Sequence, residues 1–194
     1  MLSNKIFDIS LGNPNLFFAI LFASSSCISP VKLADVNFVL NGLSNLTQLW
    51  YLYLQDDDHL EVDLSSNIMI TDLILTLPNI TSIDLSNNTL IERLQLQSTY
   101  ELTSLDLSNN INLVEFYCSA CSNLGSITFG QNTQLEDFVM TNNNNMTEID
   151  FSALTSLINV DLQGNTELLN INIANGNNFN INIFDASENP KLEC

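Results

Sequence analysis

The chain has 194 residues and carries 22 acidic side chains against 4 basic ones, a formal charge of −18. Such a field repels phosphate backbones and anionic headgroups, which excludes nucleic acid and anionic membrane surfaces as partners. Charged residues make up only 13 % and apolar ones 45 %, so asparagine, serine and threonine must cover the surface, and no apolar run reaches the roughly 18 residues of a membrane helix.

Residues 1–45 are irregular. The stretch "LFFAILFA" at 16–23 has the length of a signal-peptide h-region, but the preceding "IFDISLGNPN" is polar and carries little positive charge. That favours reading 16–23 as part of the array that follows. Apolar residues spaced by three in 36–49 predict a helical turn on the outer side. "IFDISLGNPNL" at 6–16 resembles "IFDASENPKL" at 183–192, so the array is expected to start and stop in mid-pattern, as a piece of a longer protein would.

From 46 onward a pattern sets in, with Leu49/Leu52/Leu54, Val62/Leu64/Asn67 and Ile70/Leu73/Leu75. From 80 it becomes strict: L-x-x-L-x-L-x-x-N, repeated every 11 residues. All three apolar positions stay filled from Ile80/Ile83/Leu85 through to Leu168/Ile171/Ile173, and the fourth is Asn at Asn88, Asn110, Asn132, Asn143 and Asn165. The L-x-L core alternates with period 2, the signature of a short strand with one buried face. Eleven residues cannot hold a strand, a helix and two turns. Each unit is therefore a strand plus a tight bend, and two units close one coil. Stacked coils pair in parallel about 4.8 Å apart, and the fourth-position Asn turns inward to satisfy backbone groups of adjacent coils.

Alternation also separates two outward faces. One is monotonous: Asp63, Ser65; Ser82, Asp84, Ser86; Ser104, Asp106, Ser108; Ser126, Thr128; Glu148, Asp150, Ser152. The other is varied: Tyr51, Tyr53, Gln55; Asp72, Ile74, Thr76; Arg93, Gln95, Gln97; Glu115, Tyr117, Ser119; Asp137, Val139, Thr141; Asn159, Asp161, Gln163. A stack needs regularity, whereas a contact surface needs mixed chemistry with aromatics. The varied face is the candidate ligand face, with Tyr51, Tyr53, Ile74, Arg93, Tyr117 and Val139 as anchors, Asp72, Glu115 and Asp137 setting polarity, and Gln95 among them.

Candidate chemistry is sparse. The C-x-x-C of Cys118 and Cys121 places one sulfur in an apolar position and the other in an Asn position, so both are expected in the core, as packed thiols or, alternatively, as a disulfide with each other, unlike the exposed pair of a redox centre. Cys27 and Cys194 are too scattered to complete a disulfide framework. His59 is the sole histidine, which rules out a Ser-His-Asp triad and a His-rich metal site. Asp56, Asp57, Asp58, Glu61 and Asp63 are weak calcium candidates that lack calcium-loop spacing and read better as a solvated turn. One Asp per coil at Asp63, Asp84 and Asp106 gives a uniform ladder, not two carboxylates with divergent environments. Neither enzyme chemistry nor a cofactor is expected.

"ITSIDLSNN" at 80–88, "LTSLDLSNN" at 102–110 and "LVEFYCSAC" at 113–121 resemble bacterial leucine-rich repeats of the 21–22-residue subclass, whose coil nests two L-x-x-L-x-L units. Surface proteins of the internalin group with a cysteine ladder and secreted proteins of Bacteroidetes have this form, and the "NPKLEC" end is typical of the latter. Only one half-unit here keeps the cysteine, so no ladder exists. The resemblance covers 46–194 as regular repeats and 1–45 as degenerate ones, a single array. It implies a mainly β, right-handed leucine-rich-repeat solenoid with two parallel sheets and little helix, in which the varied sheet is concave. It further implies a non-catalytic extracellular or cell-surface module that binds a protein or glycan. Rival readings are a spacer or adhesin stalk without a ligand, a calcium-dependent adhesin, and an ice- or crystal-surface binder. The sequence leaves the oligomeric state open.

Overall fold

The computed structural model describes residues 18–23, 43–56, 61–176 and 178–193. Four strands come first: β1 (Phe18–Ala23), β2 (Tyr51–Asp56), β3 (Asp72–Thr76) and β4 (Arg93–Gln97). After them the strands of two sides alternate: β5 (Ser104–Asp106), β6 (Glu115–Ser119), β7 (Ser126–Thr128), β8 (Asp137–Thr141), β9 (Glu148–Asp150), β10 (Asn159–Asp161), β11 (Asn170–Asn172) and β12 (Ile183–Asp185). Helix among the described residues is confined to single 3-10 turns at Leu43–Asn45 and Asn178–Asn180. The first of these falls in the segment whose spacing predicts a turn. His59, Asp57 and Asp58 lie outside the described residues.

One side of the molecule is an eight-stranded parallel sheet in the order β1-β2-β3-β4-β6-β8-β10-β12. Its register advances by one coil per strand: Tyr51↔Asp72↔Arg93↔Glu115↔Asp137↔Asn159↔Ile183. Strand β1 joins it with Phe18 opposite Tyr51 and Ala23 opposite Asp56, so most of 16–23 is sheet backbone. Side chains at alternate positions behind this sheet, from Leu52 and Leu54 through Phe116 and Cys118 to Val160 and Leu162, are at most 2 % exposed. Burying each such Leu stabilises the fold by about 1.5–3 kcal/mol relative to exposure, and the period-2 pattern lets every coil do so.

The other side differs from the continuous second sheet expected. It consists of two separate two-stranded pieces, β5-β7 and β9-β11, and the equivalent stretches at 61–67 and 80–88 form turns without a strand. The phenylalanines pack differently on the two sides. Phe116 and Phe138, in register behind the eight-stranded sheet, stack at 5.1 Å and 28°, close to the strand spacing of about 4.8 Å. Phe129 and Phe151, one coil apart on the other side, meet tilted at 46° with centroids 6.5 Å apart. The aromatic stacking seen behind the eight-stranded sheet is thus not repeated here.

The bends hold the coils together through buried amides. At one bend Asn88 Nδ2 donates to Leu64 O and Asn67 O, Asn110 Nδ2 to Leu85 O and Asn88 O, and Asn132 Nδ2 to Leu107 O and Asn110 O, all within 2.8–3.1 Å. Each Asn thus bonds the coil before it, in the role its inward position predicts. At the opposite bend the rungs are Thr99, Cys121, Asn143 and Asn165. There Cys121 N donates to Asn143 Oδ1 at 2.8 Å and Asn143 N to Asn165 Oδ1 at 3.0 Å. The chain enters these rungs through a left-handed residue in every coil, with φ of 53° at Ser98, 57° at Ala120, 58° at Asn142 and 75° at Gly164. Gly164, and next to it Asn142, are the residue types that this conformation favours, whereas Ser98 and Ala120 are not.

Candidate functional site

All ten residues singled out for the ligand face stand at outward positions of the eight-stranded sheet, in two neighbouring columns. Register puts Tyr51, Asp72, Arg93, Glu115 and Asp137 in one column and Tyr53, Ile74, Gln95, Tyr117 and Val139 in the next. Successive members are one strand apart, about 4.8 Å, so side chains from different coils meet.

The centre of the first column is ionic. Arg93 clamps Glu115 with two bonds, Nε to Oε2 at 2.7 Å and Nη2 to Oε1 at 2.9 Å, while its Nη1 donates to Asp72 Oδ1 at 3.1 Å. The guanidinium holds the Glu115 carboxyl below the usual range, and the Glu115 hydrogen bonds in turn push the Arg93 pKa up. Asp72 also accepts from Thr71 Oγ1 at 2.8 Å, and Asp137 accepts from Asn159 Nδ2. Sequence reading offers Arg93 as an anchor; in the structure it is already the bridge between two carboxylates of its own sheet. The Tyr117 phenol has its pKa raised, first by burial and then by the charges of Glu115 and Asp137, so it is a neutral donor over the whole physiological range.

Aromatic surface flanks this cluster. Tyr53 Oη donates to Gln55 Oε1 at 3.1 Å. Trp50, 43 % exposed, sets its ring edge to that of Tyr51 at 5.9 Å. Trp50 escapes the alternation argument because it sits one residue ahead of the strand. It is nevertheless the only tryptophan in the chain, and its place directly before Tyr51-Leu52-Tyr53 is the signal that could have found it.

The aspartates of the opposite side have a local job. Asp63, Asp84, Asp106 and Asp150 each accept through Oδ1 from the backbone N–H two residues on, at Ser65, Ser86, Ser108 and Ser152, within 2.8–2.9 Å. This closes the bend after each of these four half-units, as Asp side chains do in turns. Bonds from those serines hold all four carboxyls below the usual range. The shifts run in one direction, whereas acid–base work on a pair needs them pushed apart. Of the calcium candidates, Asp56 ends β2, Glu61 is exposed and Asp63 is such a turn residue. Among the described residues no group of three or more His, Cys, Asp or Glu could hold a metal ion.

Cys118 and Cys121 are buried free thiols. Burial pushes the Cys118 thiol up, which opposes thiolate chemistry. Cys121 accepts from Thr99 Oγ1 at 3.0 Å, one rung to the next. Both cysteines are core parts of the coil.

Coils of about 22 residues, a parallel sheet on one side, short strands on the other and inward asparagines at the bends define a leucine-rich-repeat solenoid. No protein-family profile matches the sequence, and no curated protein matches it. Among solved structures, the chain is similar to the functional domain of InlJ from Listeria monocytogenes, a domain that includes a cysteine ladder. The two are 21 % identical with a TM-score of 0.38, over 77 % of this chain and 44 % of that one. The internalin InlF of the same species is 15 % identical with a TM-score of 0.32, over 90 % of this chain and 68 % of its own. The chain thus spans less than half the length of the InlJ domain. No helix among the described residues is long and apolar enough to cross a membrane.

Proposed function

We propose that this solenoid is a non-catalytic recognition module, extracellular or at a cell surface, that binds a protein or glycan across the eight-stranded sheet. The observation that carries this reading is the contrast in outward chemistry. The two columns combine Tyr51, Tyr53, Ile74, Tyr117 and Val139 with a preorganised Asp72–Arg93–Glu115 cluster, and exposed Trp50 adjoins them, while the other side repeats turn aspartates and serines. Amphipathic aromatics beside fixed charges give contact area at low entropy cost and discriminate by hydrogen bonding.

The test is a binding screen of the whole chain against extracellular proteins and glycans, repeated with a Tyr53→Ala/Tyr117→Ala double variant and a Ser104→Ala/Ser126→Ala control. Loss of an identified interaction in the first and retention in the second supports the reading. Equal retention in both assigns the sheet no ligand and favours a spacer. A lattice binder is disfavoured by geometry, because the Asp/Ser side is split into two strand pairs and offers no continuous flat ladder among the described residues.

A further inference from the structure

The bends that lead into the eight-stranded sheet repeat one kind of turn. Its last N–H donates back to its first carbonyl, as from Ile70 to Asn67, Ile91 to Asn88 and Leu113 to Asn110 at 3.1–3.2 Å. The turns before and after these three, 46–49 and 132–135, close in the same way. Their central pairs are Thr47-Gln48 and Thr133-Gln134, polar as exposed turns ordinarily are. In the three turns between them Ile68, Met69, Leu90 and Ile111 take central places and are 38–51 % exposed. On the opposite bend the pairs Ser122-Asn123 and Thr166-Glu167 are polar again. Apolar side chains scattered singly on a surface need no explanation. These four are stacked in consecutive coils about 4.8 Å apart, as one stripe along the edge of the solenoid.

We propose that this stripe seats a basic amphipathic helix of a protein partner, lying along the solenoid axis. Spacing points to a helix. Residues i, i+3 or i+4, and i+7 line one helix face and rise about 10.5 Å in all. Two coil steps, from Ile68 to Ile111, cover about 9.6 Å, so each apolar side chain of the helix meets one turn. A row of closed turns offers no strand edge, which leaves side-chain contact as the means of binding. Charge sets what flanks the apolar face. Asp63, Asp84 and Asp106 stand four residues before the asparagine rungs on one side of the stripe. Asp72, Glu92 and Glu115 stand at the entry to the sheet strands on the other. The only basic residue between Lys32 and Lys191 is Arg93, and it already pairs with Asp72 and Glu115. Lysine or arginine on both shoulders of the helix completes the match, whereas a second copy of a chain carrying −18 is repelled. The stripe lies outside the two columns of the varied sheet, and the inference is independent of the function proposed for them.

The probe is the fluorescently labelled peptide KLAKALKKLAKALK, whose leucines share one helix face. It is compared with an isomer of the same composition whose leucines are spread around the helix, and with ELAEALEELAEALE. Anisotropy should show binding of the first peptide alone. A Leu90→Ser/Ile111→Ser double variant, changed at exposed positions, should weaken it by about tenfold or more, the scale of two aliphatic side chains partly buried at a contact. Tyr100→Ser, which removes an exposed aromatic from the opposite bend, should leave it unchanged. In the wild-type chain, amide exchange at 68–69, 89–90 and 111–112 should slow when the peptide is bound, a readout that does not depend on any variant folding. The proposal is overturned by absence of binding, by equal binding of the isomer or of the glutamate peptide, by equal weakening from Tyr100→Ser, or by protection confined to the eight-stranded sheet.

Discussion

The two sides of the solenoid use the same 11-residue pattern and arrive at different structures. Behind the eight-stranded sheet the second and third apolar positions are buried without exception from Leu52 to Leu162. On the Asp/Ser side Ile83, Ile127, Phe129, Ile171 and Ile173 stay half-exposed. One side is held by a continuous ladder of backbone bonds, while on the other that ladder is broken into two strand pairs, and aspartate turns and asparagine rungs serve the bends of both. A repeat therefore fixes coil length and core content, but not how many of its half-units pair into sheet.

The largest test of that contrast is truncation of a phenylalanine. Phe138 is fully buried and meets Phe116 at 5.1 Å, Phe151 at 4.9 Å and Phe129 at 5.9 Å. Phe138→Ala should destabilise the chain by about 3–5 kcal/mol in urea unfolding. Ile127→Ala, at a half-buried site on the open side, should lose no more than about 1–2 kcal/mol. Similar losses at both positions would show the two sides to be packed alike.

Next comes the asparagine ladder. Asn110→Ala removes two donors from the carbonyls of Leu85 and Asn88 and should destabilise by about 2–3 kcal/mol, the penalty of buried groups left unpaired. Asn110→Asp should be worse at neutral pH, because a buried carboxylate would face those two carbonyls. Burial would raise its folded pKa, so the difference between Asp and Ala should shrink as pH falls through that value. A melting-temperature series from pH 7 down to pH 4 checks the sign.

Backbone strain at the opposite bend gives a change of reverse sign. Ala120 holds φ at 57° where Gly164 stands in a later coil. Ala120→Gly should stabilise by about 0.5–1 kcal/mol if relief of the left-handed penalty outweighs the added freedom of the unfolded chain. A fall in the urea midpoint would show that the Ala120 methyl contributes packing that outweighs the strain.

Much of this was legible in the sequence, for one physical reason. Period-2 alternation locked to an 11-residue step leaves strand-plus-bend as the only geometry, so coils, outward columns and inward asparagines such as Asn110 follow from counting. The two cysteines were legible the same way, since position alone sends Cys118 and Cys121 inward. What escaped depends on contacts between coils, which a single repeat does not encode. The lack of pairing between β7 and β9 is one such feature, and the engagement of Arg93 with both Asp72 and Glu115 is another. Trp50 escaped because it lies outside the alternation.

The smallest expected effect falls on Arg93 and bears on whether that cluster serves stability or recognition. Its side chain is 45 % exposed, so water and salt screen the pair, and Arg93→Gln should destabilise by at most about 1 kcal/mol. The sign with pH follows from Glu115. Its folded pKa is depressed by Arg93, so the pair stabilises above the ordinary glutamate range and loses that contribution as pH falls through the folded value. The difference between wild type and Arg93→Gln should therefore be present at pH 7, fade as pH falls below the ordinary glutamate range, and fade at pH 7 in about 1 M salt, where screening acts over about 3 Å. A loss well above 1 kcal/mol that persists in salt would make the clamp a structural element of the sheet. A loss near zero, together with weakened binding of an identified partner, would make it what the varied face suggests: charges held in place for another molecule.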